Sequence, residues 1–238
     1  MKAISIIIIL TATFSTITNA QMKGIMDDVR GQLSGNETID YEKLIDLFSD
    51  MVKQYPAAPQ GYNNLGAAKI KMQDYTGALQ SFNKAIDLSP HYMEALYNRG
   101  IVKFLMKDFK GSAQDFKGAS EISTKDAKIF YNLSLAKYYS GEKKSALADL
   151  EMALKLDGSL EWALCNRGYL NFEMENNEEA IEDFSKAITM NSKDSDLFCN
   201  RGEVYLKLNN TAMACEDLKK AVELGSVRAS ELTKQSCP

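Results

Sequence analysis

The chain has 238 residues, of which 45% are apolar and 25% are charged, and its formal net charge is −4. This is an ordinary globular composition, and it lacks the excess of Lys and Arg on which binding to a phosphate backbone depends. We therefore expect no nucleic-acid partner. The single histidine, His91, has no second imidazole with which to form a metal pair, and no glycine-rich phosphate loop follows a strand pattern. We expect His91 on the surface, no cofactor, no metal and no catalytic activity.

The first twenty residues have the layout of a cleavable secretory signal. Lys2 supplies positive charge, the stretch 3–14 is apolar, and small residues end at Ala20. An uncleaved anchor is the alternative, but the apolar stretch is shorter than the roughly 20 residues that span a bilayer. We expect cleavage near Ala20, export to the periplasm or the exterior, and no stable membrane span in the remaining chain.

The segment 22–58 is interpreted as a divergent repeat that caps the N-terminal end of an array. Residues 22–33 would form its first helix and residues 41–55 its second, and Pro56 precedes Pro90 by 34 residues. A cap is expected because the end unit of a stacked array would otherwise expose an apolar face.

From residue 59 onward, small residues recur with a period of 34, which defines five repeats: 59–92, 93–126, 127–160, 161–194 and 195–228. One position in the first half of each repeat holds Gly66, Gly100, Ser134, Gly168 or Gly202, and one in the second half holds Ala85, Ala119, Ala153, Ala187 or Ala221. Two helical patterns separated by a turn fill each repeat. We call them helix A and helix B. A period near 34 built in this way predicts an all-α helix-turn-helix solenoid.

Repeat 59–92 closely resembles a tetratricopeptide repeat. The residues that carry the resemblance are Tyr62, Leu65, Gly66, Ala78, Phe82, Ala85 and Pro90. The resemblance implies a right-handed superhelix whose A helices form a concave wall, and a role in binding proteins. It is specific for the fold and only weakly specific for the function.

Packing and charge patterns predict what holds each repeat together. A small residue on helix A lets helix B approach, and a large residue beside it is expected in the core: Phe82, Phe116, Leu150, Phe184 and Leu218. An arginine on helix A precedes an aspartate on helix B by sixteen residues in three repeats: Arg99 and Asp115, Arg167 and Asp183, Arg201 and Asp217. We predict ion pairs between the two helices. The alternative is that the arginines point into the groove toward an acidic partner.

The candidate peptide-binding residues lie on the A helices. One position holds an amide in all five repeats: Asn64, Asn98, Asn132, Asn166 and Asn200. The resemblance implies that this position faces the concave wall, where an amide can donate to and accept from any peptide unit. The alternative is that the row is simply part of the repeat consensus.

Aromatic residues near these amides would give the groove its specificity, since Tyr and Trp are enriched in binding hot spots. The candidates are Tyr97, Tyr131, Tyr138 and Trp162. We expect the last three of these to be exposed, and Phe104 and Phe172 to be buried.

Four cysteines in an exported chain permit disulfides. Cys215 lies in the last repeat and Cys237 follows a predicted cap helix within 226–238, so a bridge between them would fix that helix; the sequence leaves this pairing open. Cys165 and Cys199 lie one period apart, which places their Cα atoms too far apart for a disulfide.

These patterns favour an exported, non-catalytic scaffold that binds a peptide or protein segment in the groove of the A helices. The alternative is a structural or assembly factor of a cell-envelope complex that acts through its convex face or its end repeats. The identity of the partner and the oligomeric state cannot be read from the sequence.

Overall fold

The computed structural model describes residues 40–237, and the regular structure in that range is all α-helical. The helices are α1 Tyr41–Gln54, α2 Pro59–Lys71, α3 Tyr75–Leu88, α4 Met93–Leu105, α5 Phe109–Ile122, α6 Ala127–Tyr139, α7 Lys143–Leu156, α8 Glu161–Glu173, α9 Asn177–Met190, α10 Ser195–Lys207, α11 Thr211–Glu223 and α12 Val227–Ser236. The predicted signal at 1–20 and the predicted helix at 22–33 lie outside the described residues. None of the helices between residues 40 and 237 combines the length and the apolar character needed to cross a membrane.

The helices form two compact units. The first ends at Thr124 and includes α1 to α5, and the second begins at Lys125 and includes α6 to α12. In both units the most extensive packing joins helix A to helix B of the same repeat, as in α2 with α3 and α8 with α9. Each unit is therefore a helical solenoid of paired helices, which confirms the predicted fold class.

The turn from helix A to helix B has a recurrent backbone conformation. Gln73 follows the first turn residue after α2 with a φ of 60°, and Lys107 takes the same place after α4 with a φ of 64°. Glycine adopts this left-handed conformation most readily, and Gly141 occupies the equivalent place before α7 with a φ of 92°. Asp74, the residue after Gln73, caps α3 by accepting a hydrogen bond from the amide of Gly77 at 2.9 Å.

Helix A and helix B approach each other closely because a glycine faces a large side chain. A β-carbon on Gly66 would lie 2.7 Å from the ring of Phe82, and one on Gly100 would lie 2.9 Å from the ring of Phe116. No side chain larger than hydrogen fits such a contact without movement of its neighbour. The five predicted core residues are all at most 2% exposed: Phe82, Phe116, Leu150, Phe184 and Leu218.

The C-terminal helix α12 packs on α11 and α10. Cys215 of α11 and Cys237 after α12 form a disulfide, with their Cα atoms 5.6 Å apart. Ser226 caps α12 by accepting a hydrogen bond from the amide of Ala229 at 3.2 Å. Cys165 and Cys199 form no disulfide, as predicted.

Candidate functional site

Three arginine–aspartate pairs join helix A to helix B within a repeat, as predicted. In the first unit Arg99 donates to both carboxylate oxygens of Asp115, from Nε at 2.8 Å and from Nη2 at 2.6 Å. The same two-point contact joins Arg167 to Asp183 at 2.9 and 2.6 Å, and Arg201 to Asp217 at 2.8 and 2.8 Å. The alternative, that these arginines point toward an acidic partner, is wrong, because their guanidinium groups bind buried carboxylates.

Two of these arginines also reach the preceding repeat. Nη1 of Arg99 donates to Oδ1 of Asn83 on α3 at 2.8 Å, and Nη1 of Arg201 donates to the hydroxyl of Ser185 on α9 at 2.8 Å. Each of these arginines therefore links three helices. The sequence prediction missed this second partner, although Asn83 and Ser185 each precede their arginine by sixteen residues.

Repeat 127–160 uses a different ion pair at the same interface. Leu133 stands where three of the other four repeats have arginine, and Lys137, one turn later on α6, contacts Oδ2 of Asp149 at 2.6 Å. Burial raises the pKa of Asp149, and the nearby Lys137 opposes that shift. A single contact from Lys137 thus replaces the two-point contact of arginine, and the carboxylate again pairs with a cation of the same repeat.

In the first unit the predicted amide row lies between neighbouring A helices. Nδ2 of Asn98 on α4 donates to Oδ1 of Asn63 on α2 at 3.0 Å, and both side chains are buried. Asn64 is half-buried. Tyr97, a predicted groove residue, is buried, and its ring contacts Phe116 edge-to-face at 5.5 Å. The amide at this position thus stabilises the packing of α4 on α2.

In the second unit the same row has different partners. Nδ2 of Asn166 on α8 donates to the hydroxyl of Tyr131 on α6 at 2.8 Å. Tyr131 is only 4% exposed and packs edge-to-face on Trp162, so the prediction that Tyr131 is exposed is wrong. Burial raises the pKa of Tyr131, and the hydrogen bond from Asn166 partly opposes this. Asn132 is buried, and Oδ1 of Asn200 accepts a hydrogen bond from Arg228 of α12 at 3.1 Å.

A group of three tyrosines and one glutamate lies on the A helices of the second unit. The rings of Tyr138 and Tyr139 at the end of α6 are 5.2 Å apart, and Tyr169 on α8 is 6.5 Å from Tyr138. Tyr139 and Tyr169 are 40% and 44% exposed. Glu173, one turn after Tyr169, hydrogen-bonds to Tyr138 and Tyr169. Burial is the main cause that raises the pKa of both phenols, and the negative charge of Glu173 adds to it. We call Tyr138, Tyr139, Tyr169 and Glu173 the tyrosine–glutamate cluster.

Comparison with known proteins agrees with this geometry. Sequence models of the tetratricopeptide repeat match residues 59–92, 161–194 and 195–224. In these three segments the chain matches the tetratricopeptide repeat. A search of curated proteins found no match to the chain.

Solved structures with a similar fold include YrrB, described as a TPR protein with an unusual peptide-binding site. It is 22% identical, with a TM-score of 0.72 over 79% of this chain and 97% of that one. MamA is 22% identical, with a TM-score of 0.66 over 71% of this chain and 97% of that one. The PilF protein of Pseudomonas aeruginosa is 16% identical, with a TM-score of 0.62 over 74% of this chain and 84% of that one. At these identities the likeness establishes the fold.

The exposure of the remaining predicted residues differs in part from the prediction. Trp162 and Tyr138, predicted to be exposed, are half-buried, and so are Phe104 and Phe172, predicted to be buried. His91 is exposed, as predicted. Half-burial is common on an A helix because each side chain lies partly against the next repeat.

The sequence prediction did not select Glu173 as a site residue. A signal for it was present, since Glu173 follows Trp162 by eleven residues and therefore shares its stripe on α8. Lys143, whose Nζ lies 3.3 Å from Oε2 of Glu173, was also missed. It belongs to helix B of the preceding repeat, so no spacing within one repeat could have indicated it.

Proposed function

We propose that this protein is an exported, non-catalytic scaffold that binds a peptide segment along the A helices of its second unit, over the tyrosine–glutamate cluster. The observation that carries the proposal is the pair of exposed tyrosines, Tyr139 and Tyr169, on rigid helices of the second unit. Exposed tyrosines on a preorganised scaffold offer a large apolar contact with a polar tip, which is the composition of binding hot spots.

Three further observations support this choice of surface. The arginines and aspartates that could have formed a charged groove are occupied inside the repeats. Asn166, one turn before Tyr169 on α8, is half-buried, and its amide carries an acceptor oxygen as well as the nitrogen that donates to Tyr131. YrrB, which is similar in fold, is described as having a peptide-binding site.

Export is supported by the N-terminal sequence and by cysteine chemistry. Residues 1–20 have the layout of a signal sequence. The disulfide between Cys215 and Cys237 is of the kind that persists in oxidising compartments.

Selection of peptides from a random library on the purified protein tests the binding surface. We expect the selected peptides to bind the double variant Tyr139→Ala/Tyr169→Ala at least about tenfold more weakly, as is typical when a hot spot is truncated. The affinity would be measured by calorimetry, and the fold of the variant by its thermal unfolding.

The matched control removes two equally exposed large side chains from B helices of the same unit. Met152 and Met190 are 37% and 44% exposed on α7 and α9. The double variant Met152→Ala/Met190→Ala is expected to bind as well as the unchanged protein. Loss of binding in the methionine variant and not in the tyrosine variant would move the interface to the B helices and favour the assembly-factor alternative.

A further inference from the structure

The half-buried carboxylate of Glu173 is the charged member of the tyrosine–glutamate cluster. It interacts with both Tyr138 and Tyr169, and its Oε2 atom is buried without a hydrogen bond from any described residue. The Lys143 ammonium lies 3.3 Å from Oε2 and forms an ion pair only. A buried carboxylate oxygen that lacks a hydrogen bond retains the capacity to accept one from a cationic donor.

Lys143 is bound only weakly to Glu173. Its side chain is 47% exposed, and ion pairs of such exposed side chains contribute little stability. It is also the first residue of α7, where the positive end of the helix dipole disfavours a cation. Its proximity to Glu173 indicates that the cluster accepts an ammonium group, and its exposure means that another cation can displace it.

The next A helix holds a cation in a similar manner. Arg228 of α12 donates from Nε to Oε1 of Glu203 on α10 at 2.9 Å, and from Nη2 to Oδ1 of Asn200 at 3.1 Å. On α8, Asn166 corresponds to Asn200, Tyr169 stands in the place of Glu203, and the carboxylate of Glu173 lies one turn further along the helix. A carboxylate and an amide on one A helix therefore already bind a basic side chain within this unit.

We propose that the tyrosine–glutamate cluster is a subsite for a lysine or arginine side chain of the bound peptide, which displaces Lys143 from Glu173. This rests on the proposed function and adds the chemistry of the ligand. The carboxylate supplies charge, and the exposed rings of Tyr139 and Tyr169 supply cation–π contacts. The partner is thus a segment with a basic residue next to groups that pack on tyrosine.

The test examines the peptides selected on the purified protein. We expect lysine or arginine to be enriched at one position, and replacement of that residue by uncharged norleucine to lower the affinity about tenfold, as for loss of a desolvated charged contact. Glu173→Gln is expected to lower the affinity for the basic peptide by a similar factor and to leave the affinity for the norleucine peptide unchanged. Lys143→Gln is expected to raise the affinity for the basic peptide several-fold, because the competing ammonium is gone.

Glu182→Gln is the matched control, since it removes one negative charge from an exposed ion pair on α9 of the same unit. Equal losses in Glu173→Gln and Glu182→Gln would overturn the subsite and indicate general charge attraction. Peptides that need Tyr139 and Tyr169 but tolerate norleucine would also overturn it, while the proposed function would stand. Failure to select any peptide that depends on those tyrosines would overturn both.

Discussion

The contacts inside the repeats recur from one repeat to the next, whereas the contacts between A helices vary. Inside the repeats one set of contacts recurs in both units, such as Arg99 with Asp115 in the first and Arg201 with Asp217 in the second. On the A helices the same amide position has a new partner each time. Asn98 binds Asn63, Asn166 binds Tyr131, and Asn200 binds Arg228.

This difference separates the residues that specify the fold from those available for recognition. A contact within a repeat is fixed by one 34-residue unit and can be copied with it. A contact between A helices depends on two neighbouring repeats, so it changes whenever either one changes. The tyrosine–glutamate cluster belongs to the second kind and occurs where α6 and α8 meet.

The largest expected effect comes from breaking an interior ion pair. Asp183→Ala leaves the guanidinium of Arg167 partly buried without its carboxylate, which should lower the free energy of unfolding by about 3 to 5 kcal/mol. The neighbouring change Glu182→Ala removes an exposed ion pair and should leave the free energy of unfolding almost unchanged. Urea unfolding measures both, and similar losses in the two variants would contradict the distinction between interior and surface.

A smaller effect is expected from filling the space between helix A and helix B. Gly66→Ala places a methyl group 2.7 Å from the ring of Phe82 and should lower the free energy of unfolding by about 1 to 3 kcal/mol. Gly118→Ala on α5 is the control, because its nearest neighbour, Leu96, would be 3.5 Å away. The control should raise the free energy of unfolding by about 0.5 to 1 kcal/mol through helix propensity. Stabilisation by both changes would show that the close approach at Gly66 does not constrain the repeat.

The smallest effect on stability is expected at the proposed binding surface. Tyr169→Ala removes a side chain that is 44% exposed, and the free energy of unfolding should fall by about 1 kcal/mol or less. Thermal unfolding compared with the unchanged protein measures this. A loss above about 2 kcal/mol would mean that Tyr169 belongs to the structural core and is not available to bind a ligand.

The interior could be predicted from the sequence because its residues meet partners at a constant spacing. The sixteen-residue interval identified all three Arg–Asp pairs, and the period identified Phe82 and Phe184 as core. The surface could not be predicted equally well. Tyr131 was expected to be exposed, but the hydrogen bond from Asn166 and the ring of Trp162 bury it, and both belong to the next repeat.

The role of Glu173 was hidden for the same reason. Its environment combines Tyr138 from the preceding A helix, Lys143 from the preceding B helix and Tyr169 from its own helix. Helical periodicity places Tyr169 and Glu173 on one stripe, but it carries no information about which side chains of the preceding repeat face them.

Hydroxyl-radical footprinting with a selected peptide tests most directly whether recognition lies on the A helices. Tyr139 and Tyr169 report on α6 and α8, and Met152 and Met190 report on the B helices α7 and α9; all four side chains are exposed and oxidisable. The account predicts that the peptide protects the two tyrosines and leaves oxidation of the two methionines unchanged. Protection of the methionines with full reactivity of the tyrosines would contradict it.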